Sequence, residues 1–257
     1  IPQAMLLYGR RAKRLAIKAG FNPDRIWVAY NSLDYVSQRI LRDSYNDSSI
    51  RNIREDIFLE QDVLVFGCIT RLIALRRIDM LIEAVSNLRT KGIKAAVLLI
   101  GDGPEREALM GLANEKAVPI FCTGALYDEA KISRYMMVMD AAVAPGKVGL
   151  TAMHCLAYGV PVITTDCSDV QMPESEAIID GLTGLHFKDG SLDDLTSKLE
   201  YLSRNRDMIR KMSGNCISVI EGYYNPSNQL KVIESCLLNI PISESIEDLS
   251  ENEIISR

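Results

Sequence analysis

Two stretches of this chain carry residue types and spacings suited to chemistry on a phosphate. The run Pro145-Gly-Lys-Val-Gly-Leu-Thr-Ala-Met-His-Cys-Leu-Ala-Tyr-Gly-Val-Pro-Val-Ile-Thr-Thr165 passes from a Pro/Gly loop through an apolar helical pattern to Gly-Val-Pro and a β-branched run. It predicts a loop–helix–strand unit with Gly149 at the helix start. The first N–H groups of such a helix have no intrahelical acceptor. Together with the helix dipole they make an anion site, and phosphate is its usual occupant. Arg71 and Arg76 flank a second loop, directly after an apolar strand pattern. Two planar guanidinium forks at a strand end suit a diphosphate, and a solvated surface pair would show the same spacing.

Other candidates are less specific. Gly101-Asp102-Gly103-Pro104 reads as a tight turn after a strand. Its glycines either admit a ligand close to the backbone or only relieve the backbone. His154 lies one turn into the helix after Gly149. Its ring can bond a sugar or ribose hydroxyl, or sit in the core bonded to a carbonyl. Glu174 and Glu176 follow Met172-Pro173, and either could bind hydroxyls or act as a base, or simply be solvated. His186, beside Phe187, and the methionines at 136, 137 and 139 read as structural. Nothing resembles a nucleophile elbow, a Ser–His–Asp set or a metal cluster, so no metal site is expected.

The elements that must position these residues follow from periodicity. Residues 5–20 read as a basic helix stopped at Gly20, and residues 26–30 as a strand. A turn and cap at 31–34 lead into a helix reaching about Leu41, and residues 43–58 read as a polar linker. Strand patterns near 63–67, 95–100, 119–122, 140–144, 160–164 and 185–187 then alternate with helical ones. That alternation implies right-handed crossovers and a parallel sheet with helices on both faces. The near-continuous apolar strands fit such double covering. The fold class is therefore α/β and Rossmann-like, without a G-x-G-x-x-G. Ligands of open α/β sheets bind at the carboxyl ends of the strands, and loops 70–77, 101–104, 145–151 and 165–176 all fall there. Residues 240–257 are acidic and predict a mobile tail.

Bulk properties exclude several classes. The 257 residues are 47% hydrophobic and 25% charged, with a net charge of −5 and no basic stripe, which argues against nucleic acid as a partner. Six cysteines without a close pair argue against zinc and a disulfide framework and fit reduced cytosolic thiols. No apolar run is long enough to span a bilayer. Ile1 in place of a start methionine suggests a fragment or a processed product.

Five segments carry a resemblance when taken in order. They are Tyr-Asn-Ser-Leu-Asp (30–34), Gly-Cys-Ile-Thr-Arg-Leu-Ile-Ala-Leu-Arg-Arg-Ile-Asp (67–79), Leu-Ile-Gly-Asp-Gly-Pro-Glu-Arg-Glu-Ala-Leu (99–109), Val-Gly-Leu-Thr-Ala-Met-His-Cys-Leu-Ala-Tyr-Gly-Val-Pro-Val-Ile (148–163) and Asp-Gly-Leu-Thr-Gly-Leu-His-Phe (180–187). The set resembles the retaining, GT-B-fold glycosyltransferases of the large family that includes sucrose-phosphate synthase and bacterial mannosyl- and glucosyltransferases.

The resemblance covers about residues 26–222 and implies the C-terminal, nucleotide-sugar-binding half of such an enzyme. Arg71 and Arg76 fall where the family holds the donor diphosphate. The Leu150 and Thr151 amides would meet the distal phosphate, and the loop after Thr123-Gly124 would face the base. Two family glutamates fall on Gly146 and His154. Gly146 cannot make the usual contact to the donor sugar, whereas His154 retains one bond to a ribose hydroxyl. The implied activity is transfer of a hexose, with retention, from a nucleoside diphosphate sugar to a saccharide or lipid-linked acceptor in polysaccharide biosynthesis. No metal or other cofactor is implied.

The resemblance also divides the chain. Residues 1–58 would be a remnant of the acceptor domain plus linker, 59–222 the donor domain, and 223–257 a C-terminal helix and acidic tail. That helix would cross back toward the acceptor half, and without it Leu230, Ile233 and Leu237 would be exposed. A cytoplasmic location is implied, with peripheral contact to the inner face of the membrane through the N-terminal half. A GT-B-fold nucleotide-sugar epimerase and a non-catalytic nucleotide- or partner-binding module stay open as alternatives.

Overall fold

The computed structural model describes residues 4–60, 62–167 and 171–240. The chain begins with strand β1 (Met5–Leu7), helix α1 (Arg10–Lys18) and strand β2 (Ile26–Val28), and β1 and β2 pair in parallel as a small separate sheet. Helices α2 (Tyr35–Asp43) and α3 (Asp47–Phe58) follow. Next come β3 (Leu64–Ile69), α4 (Ile78–Thr90), β4 (Ala95–Ile100), α5 (Arg106–Glu115), β5 (Ile120–Cys122), α6 (Glu129–Met136), β6 (Ala141–Ala144), α7 (Leu150–Ala157) and β7 (Val162–Thr165). Strand β8 (Gly184–Phe187) and helices α8 (Leu192–Arg204), α9 (Arg206–Gly222) and α10 (Pro226–Leu238) complete the order.

The large sheet has six parallel strands in the order β5-β4-β3-β6-β7-β8. Its central strands are buried on both sides, as their unbroken apolar sequence requires. On one face Leu81 and Val85 of α4, Leu109 of α5 and Leu199 of α8 form one core. On the other, Met136 of α6, Met153 and Leu156 of α7 and Val219 of α9 form a second. From β3 the chain winds outward through β4 to β5. It then returns across the sheet along α6 and winds the other way from β6 to β8. The strand order therefore reverses between β3 and β6, and a crevice opens there at the carboxyl ends.

Three expectations change. Residues 5–20 are not one helix. Met5–Leu7 pairs with β2, and α1 starts only after Gly9, where an added Cβ would press on Glu176 and Pro173 at 3.0 and 3.1 Å. Residues 43–58 are not a linker. Asn46 accepts from the Ser49 amide at 2.9 Å and Ser49 Oγ accepts from the Asn46 amide at 3.0 Å, a capping box that starts α3. Ile50, Ile53 and Ile57 then point one helical face into the second core. Finally, α10 lies on the small sheet, with Val232 against Trp27 and Ala29. Ile233 is therefore half-buried there, while Leu230 and Leu237 stay exposed as expected. Residues 241–257, most of the expected tail, lie outside the described residues.

Candidate functional site

The β3/β6 crevice is built from two loops held to one another. After β3, Arg71 is exposed, and a short 3-10 turn (Ala74–Arg76) returns the chain to α4. Arg76 is half-buried and donates Nη1 to the Lys147 carbonyl of the loop after β6, while its Nε is buried without an acceptor among the described residues. Thr151 Oγ1 donates to the Ile69 carbonyl at 2.9 Å, which fixes the start of α7 against the end of β3. The Leu150 and Thr151 amides find no acceptor among the described residues. Arg71, Arg76 and two amides without acceptors among the described residues thus lie in loops at the same end of the sheet, and these are groups suited to an anion.

The glycine at 146 has a packing reason. A Cβ there would run into the Leu75 carbonyl oxygen and lie 3.1 Å from Arg76 Cα. This close approach brings Arg76 onto the 145–147 loop, and it leaves no room for a side chain on this backbone. Gly149 differs, because an added Cβ would meet Met172 Cγ at 3.6 Å and Glu174 Oε2 at 3.9 Å, both ordinary contacts. Gln171, which the sequence does not single out, braces the loop. Its Oε1 accepts from the Val148 amide at 2.8 Å and its Nε2 donates to the Gly146 carbonyl at 3.3 Å.

The loop after β4 is locked to the loop after β3. The Leu72 amide donates to the Asp102 carbonyl at 3.0 Å, and the Gly101 amide to the Gly124 carbonyl at 3.0 Å. Gly101 has φ +150°, and a Cβ there would strike the Thr70 carbonyl oxygen, as one at Gly103 would strike that of Leu72. Backbone packing therefore accounts for Gly101 and Gly103 without a ligand. The Asp102 carboxylate accepts from the Gly103 amide at 2.8 Å and pairs with Arg106 at 3.3 Å. Gly124 takes φ +75°. These loops border a cavity of about 530 Å³ that Arg71 and the exposed Tyr127 also line.

His154 does not face a carbonyl. Its Nε2 bonds Glu129 Oε1 at 2.8 Å, and the same oxygen accepts from Tyr158 Oη at 2.7 Å and Gln38 Nε2 at 3.3 Å. Burial pushes the Glu129 carboxyl upward, but these bonds and the His154 ring outweigh it and hold the group below its ordinary value. Burial and Glu129 together push the Tyr158 phenol well up. Asp128–Glu129 looks like any helix start, so no sequence signal marks Glu129 as a partner of His154.

Glu174 and Glu176 are not solvated. Glu174 is buried, with Oε1 accepting from Asn31 Nδ2 at 2.5 Å and Oε2 without a partner among the described residues. Glu176 accepts from the Arg10 and Arg11 amides at 2.7 and 2.8 Å and from Arg10 Nε at 3.2 Å, so it caps α1. His186 sits beside Asp180, and Met136 and Met139 are core, as read from sequence. Among the described residues, no group of three His, Cys, Asp or Glu side chains is placed to hold a metal, and no helix is long and apolar enough to cross a membrane.

Comparison with known proteins places this geometry in a family. The profile of the group 1 glycosyl transferases matches residues 63–205, which spans β3 to α8. The chain belongs to the group 1 glycosyl transferases. A glycogen synthase of Rhodopseudomonas palustris is 29% identical over 252 residues, covering 91% of this chain and 50% of that enzyme. One from Francisella philomiragia is 30% identical over 145 residues, 53% of this chain and 30% of that enzyme. The chain thus spans half or less of the length of these relatives.

Solved structures agree on the fold of this group 1 member. Anabaena HepE, crystallised with UDP, superposes with a TM-score of 0.75 at 16% identity, over 93% of this chain and 65% of that one. Sucrose-phosphate synthase from Thermosynechococcus elongatus gives 0.69 at 16% identity, over 89% and 56%. The parallel sheet with helices on both faces is that of GT-B glycosyltransferases.

Proposed function

We propose that this chain binds the donor of a glycosyl transfer and, with an acceptor half, moves a hexose from a nucleoside diphosphate sugar to a saccharide or lipid-linked acceptor with retention. The reading is carried by the Leu150 and Thr151 amides, which have no acceptor among the described residues, at the same end of the sheet as Arg71 and Arg76. In the transfer, the bond from the anomeric carbon to the diphosphate oxygen breaks and the acceptor oxygen bonds to that carbon. The acceptor proton is released and negative charge builds on the departing diphosphate. Preorganised amides and guanidinium groups oppose that charge as it forms. On this reading Arg71 and Arg76 are the catalytic groups, and no metal or further cofactor is needed.

The glycogen synthases among the relatives and the UDP in HepE support a sugar-nucleotide donor and a role in polysaccharide synthesis. The proposal keeps residues 59–222 as the donor domain, 1–58 as an acceptor-side remnant and 223–257 as a C-terminal crossing segment, in the cytoplasm. Calorimetric titration with UDP, GDP and ADP tests it, repeated on Arg71→Ala. Saturable binding of one diphosphate, weakened about 10-fold or more in the variant, is the expected result. Equal affinity in both chains would sink the diphosphate assignment.

One observation favours a second reading, a nucleotide-binding module without turnover. Position 146 has no room for a side chain, and His154 is already bonded to Glu129. A chain that binds donor sugar yet neither transfers nor hydrolyses it with acceptor present would decide for that reading.

A further inference from the structure

A second cavity, of about 560 Å³, lies between α1 and the segment 171–176. Its wall is shared with the site described above. Gln171 holds the Val148 amide, and the Met172 side chain lies against Gly149 at the start of α7. A molecule in this cleft therefore abuts the end of the sheet where the donor reading places the phosphates.

The lining has an unusual balance. Apolar surface comes from Leu15, Met172 and Pro173, and both Leu15 and Met172 are half-exposed, at 57% and 50%. Positive charge comes from Arg11, Arg14 and Lys18. Helix α1 reads RRAKRLAIK, with five cations and no acid, in a chain whose net charge is −5. Glu176 also lines the cleft, but both its oxygens are already taken by the amino end of α1 and by Arg10. Arg14 and Lys18 meet no carboxylate among the described residues.

A neutral sugar chain is poorly served by such walls. It needs amides, carboxylates and hydroxyls for its own hydroxyl groups, and here the Gln171 amide and the Glu176 carboxylate are committed elsewhere, which leaves the Ser175 hydroxyl among the described lining groups of these kinds. An anion attached to an apolar group satisfies both halves of the lining at once, because guanidinium and ammonium groups hold phosphate oxygens while the apolar part covers Leu15 and Met172. We propose that the acceptor is an amphiphilic anion, a phosphate or diphosphate ester with an apolar substituent, and that Arg14 and Lys18 bind its charged group in the α1 cleft. The proposal rests on the donor reading for the acceptor role, and on the cleft alone for the binding.

The test titrates the full chain, with and without UDP, against octyl phosphate and against octyl glucoside as a neutral match. The expected result is saturable binding of one octyl phosphate per chain, at least about 10-fold tighter than octyl glucoside. An Arg14→Gln/Lys18→Gln chain, altered only at exposed positions, should lose that preference and keep its affinity for UDP. Equal affinity for the two amphiphiles, or a preference that survives the double substitution, would overturn the proposal. Co-sedimentation with phosphatidylcholine vesicles containing phosphatidic acid, without saturable octyl phosphate binding, would overturn it in favour of a membrane surface. Failure to bind UDP while octyl phosphate still binds would remove the donor reading and leave the anion cleft standing.

Discussion

At the amino ends of the strands the sheet borders a cavity of about 810 Å³, larger than the cavity of about 530 Å³ beside Arg71 at the carboxyl ends. The two ends differ in what their polar groups are doing. At the amino end, Arg54 pairs with Asp140 at 3.1 Å, Asp140 also accepts from the Val65 amide at 2.8 Å, and Arg206 donates to the Asp62 carbonyl at 3.0 Å. Arg54 and Arg206 there each have an anion or a carbonyl, although Arg54 Nε, like Arg76 Nε, is buried without an acceptor among the described residues. At the carboxyl end, the Leu150 and Thr151 amides and the exposed Arg71 are without such partners among the described residues. Polar groups held in place but unpaired mark a binding site better than volume does, because native folds otherwise satisfy them.

The comparison breaks most easily at the glycines that let the carboxyl-end loops approach. Gly101→Ala puts a Cβ into the Thr70 carbonyl at φ +150°. It should cost about 3 kcal/mol or more in a denaturant melt and abolish UDP binding with it. Loss of less than about 1 kcal/mol would show that the two loops are not locked as described.

Charge removal at each end should give different signatures. Arg76→Ala should weaken UDP binding about 10- to 100-fold by calorimetry while stability changes little. Arg54→Ala should leave UDP affinity unaltered and lower stability by about 1 to 2 kcal/mol, since Asp140 keeps a largely buried charge without its partner. If the two substitutions gave the same pattern, the contrast between the ends would fail.

The smallest effect lies beneath the crevice. Glu129→Gln weakens the bonds from His154, Tyr158 and Gln38, and for this partly exposed carboxylate the cost near neutral pH should be about 1 kcal/mol or less. The folded carboxyl lies below its ordinary value of 4.5, so its stabilisation is complete above 4.5 and fades as pH falls through the lower folded value. Denaturant melts of both chains should therefore differ at neutral pH and converge in acid. A difference that grows on acidification would reverse the assigned sign.

Much of this contrast is legible in the sequence, and the missing parts share a cause. Unbroken apolar runs such as 95–100 identify doubly covered strands, and loops after such strands must lie at their carboxyl ends, which brings Arg71, Arg76, Leu150 and Thr151 to one end of the sheet. Helix α3 is hidden because its isoleucines are diluted by Asp, Ser, Arg and Glu on the solvent face. The bonds from His154 to Glu129 and from Asn31 to Glu174 join residues 25 and 143 positions apart, and no local pattern encodes them. Strand β1, with three residues, is too short to interrupt the helical period that surrounds it.

The most direct test of the central claim follows backbone-amide resonances of the assigned chain during a UDP titration. The account predicts saturable shifts at Leu150, Thr151 and the loop carrying Arg71, with residues around Arg54 and Asp140 unmoved. Shifts confined to the amino-end cavity, or none anywhere in a folded chain, would contradict it.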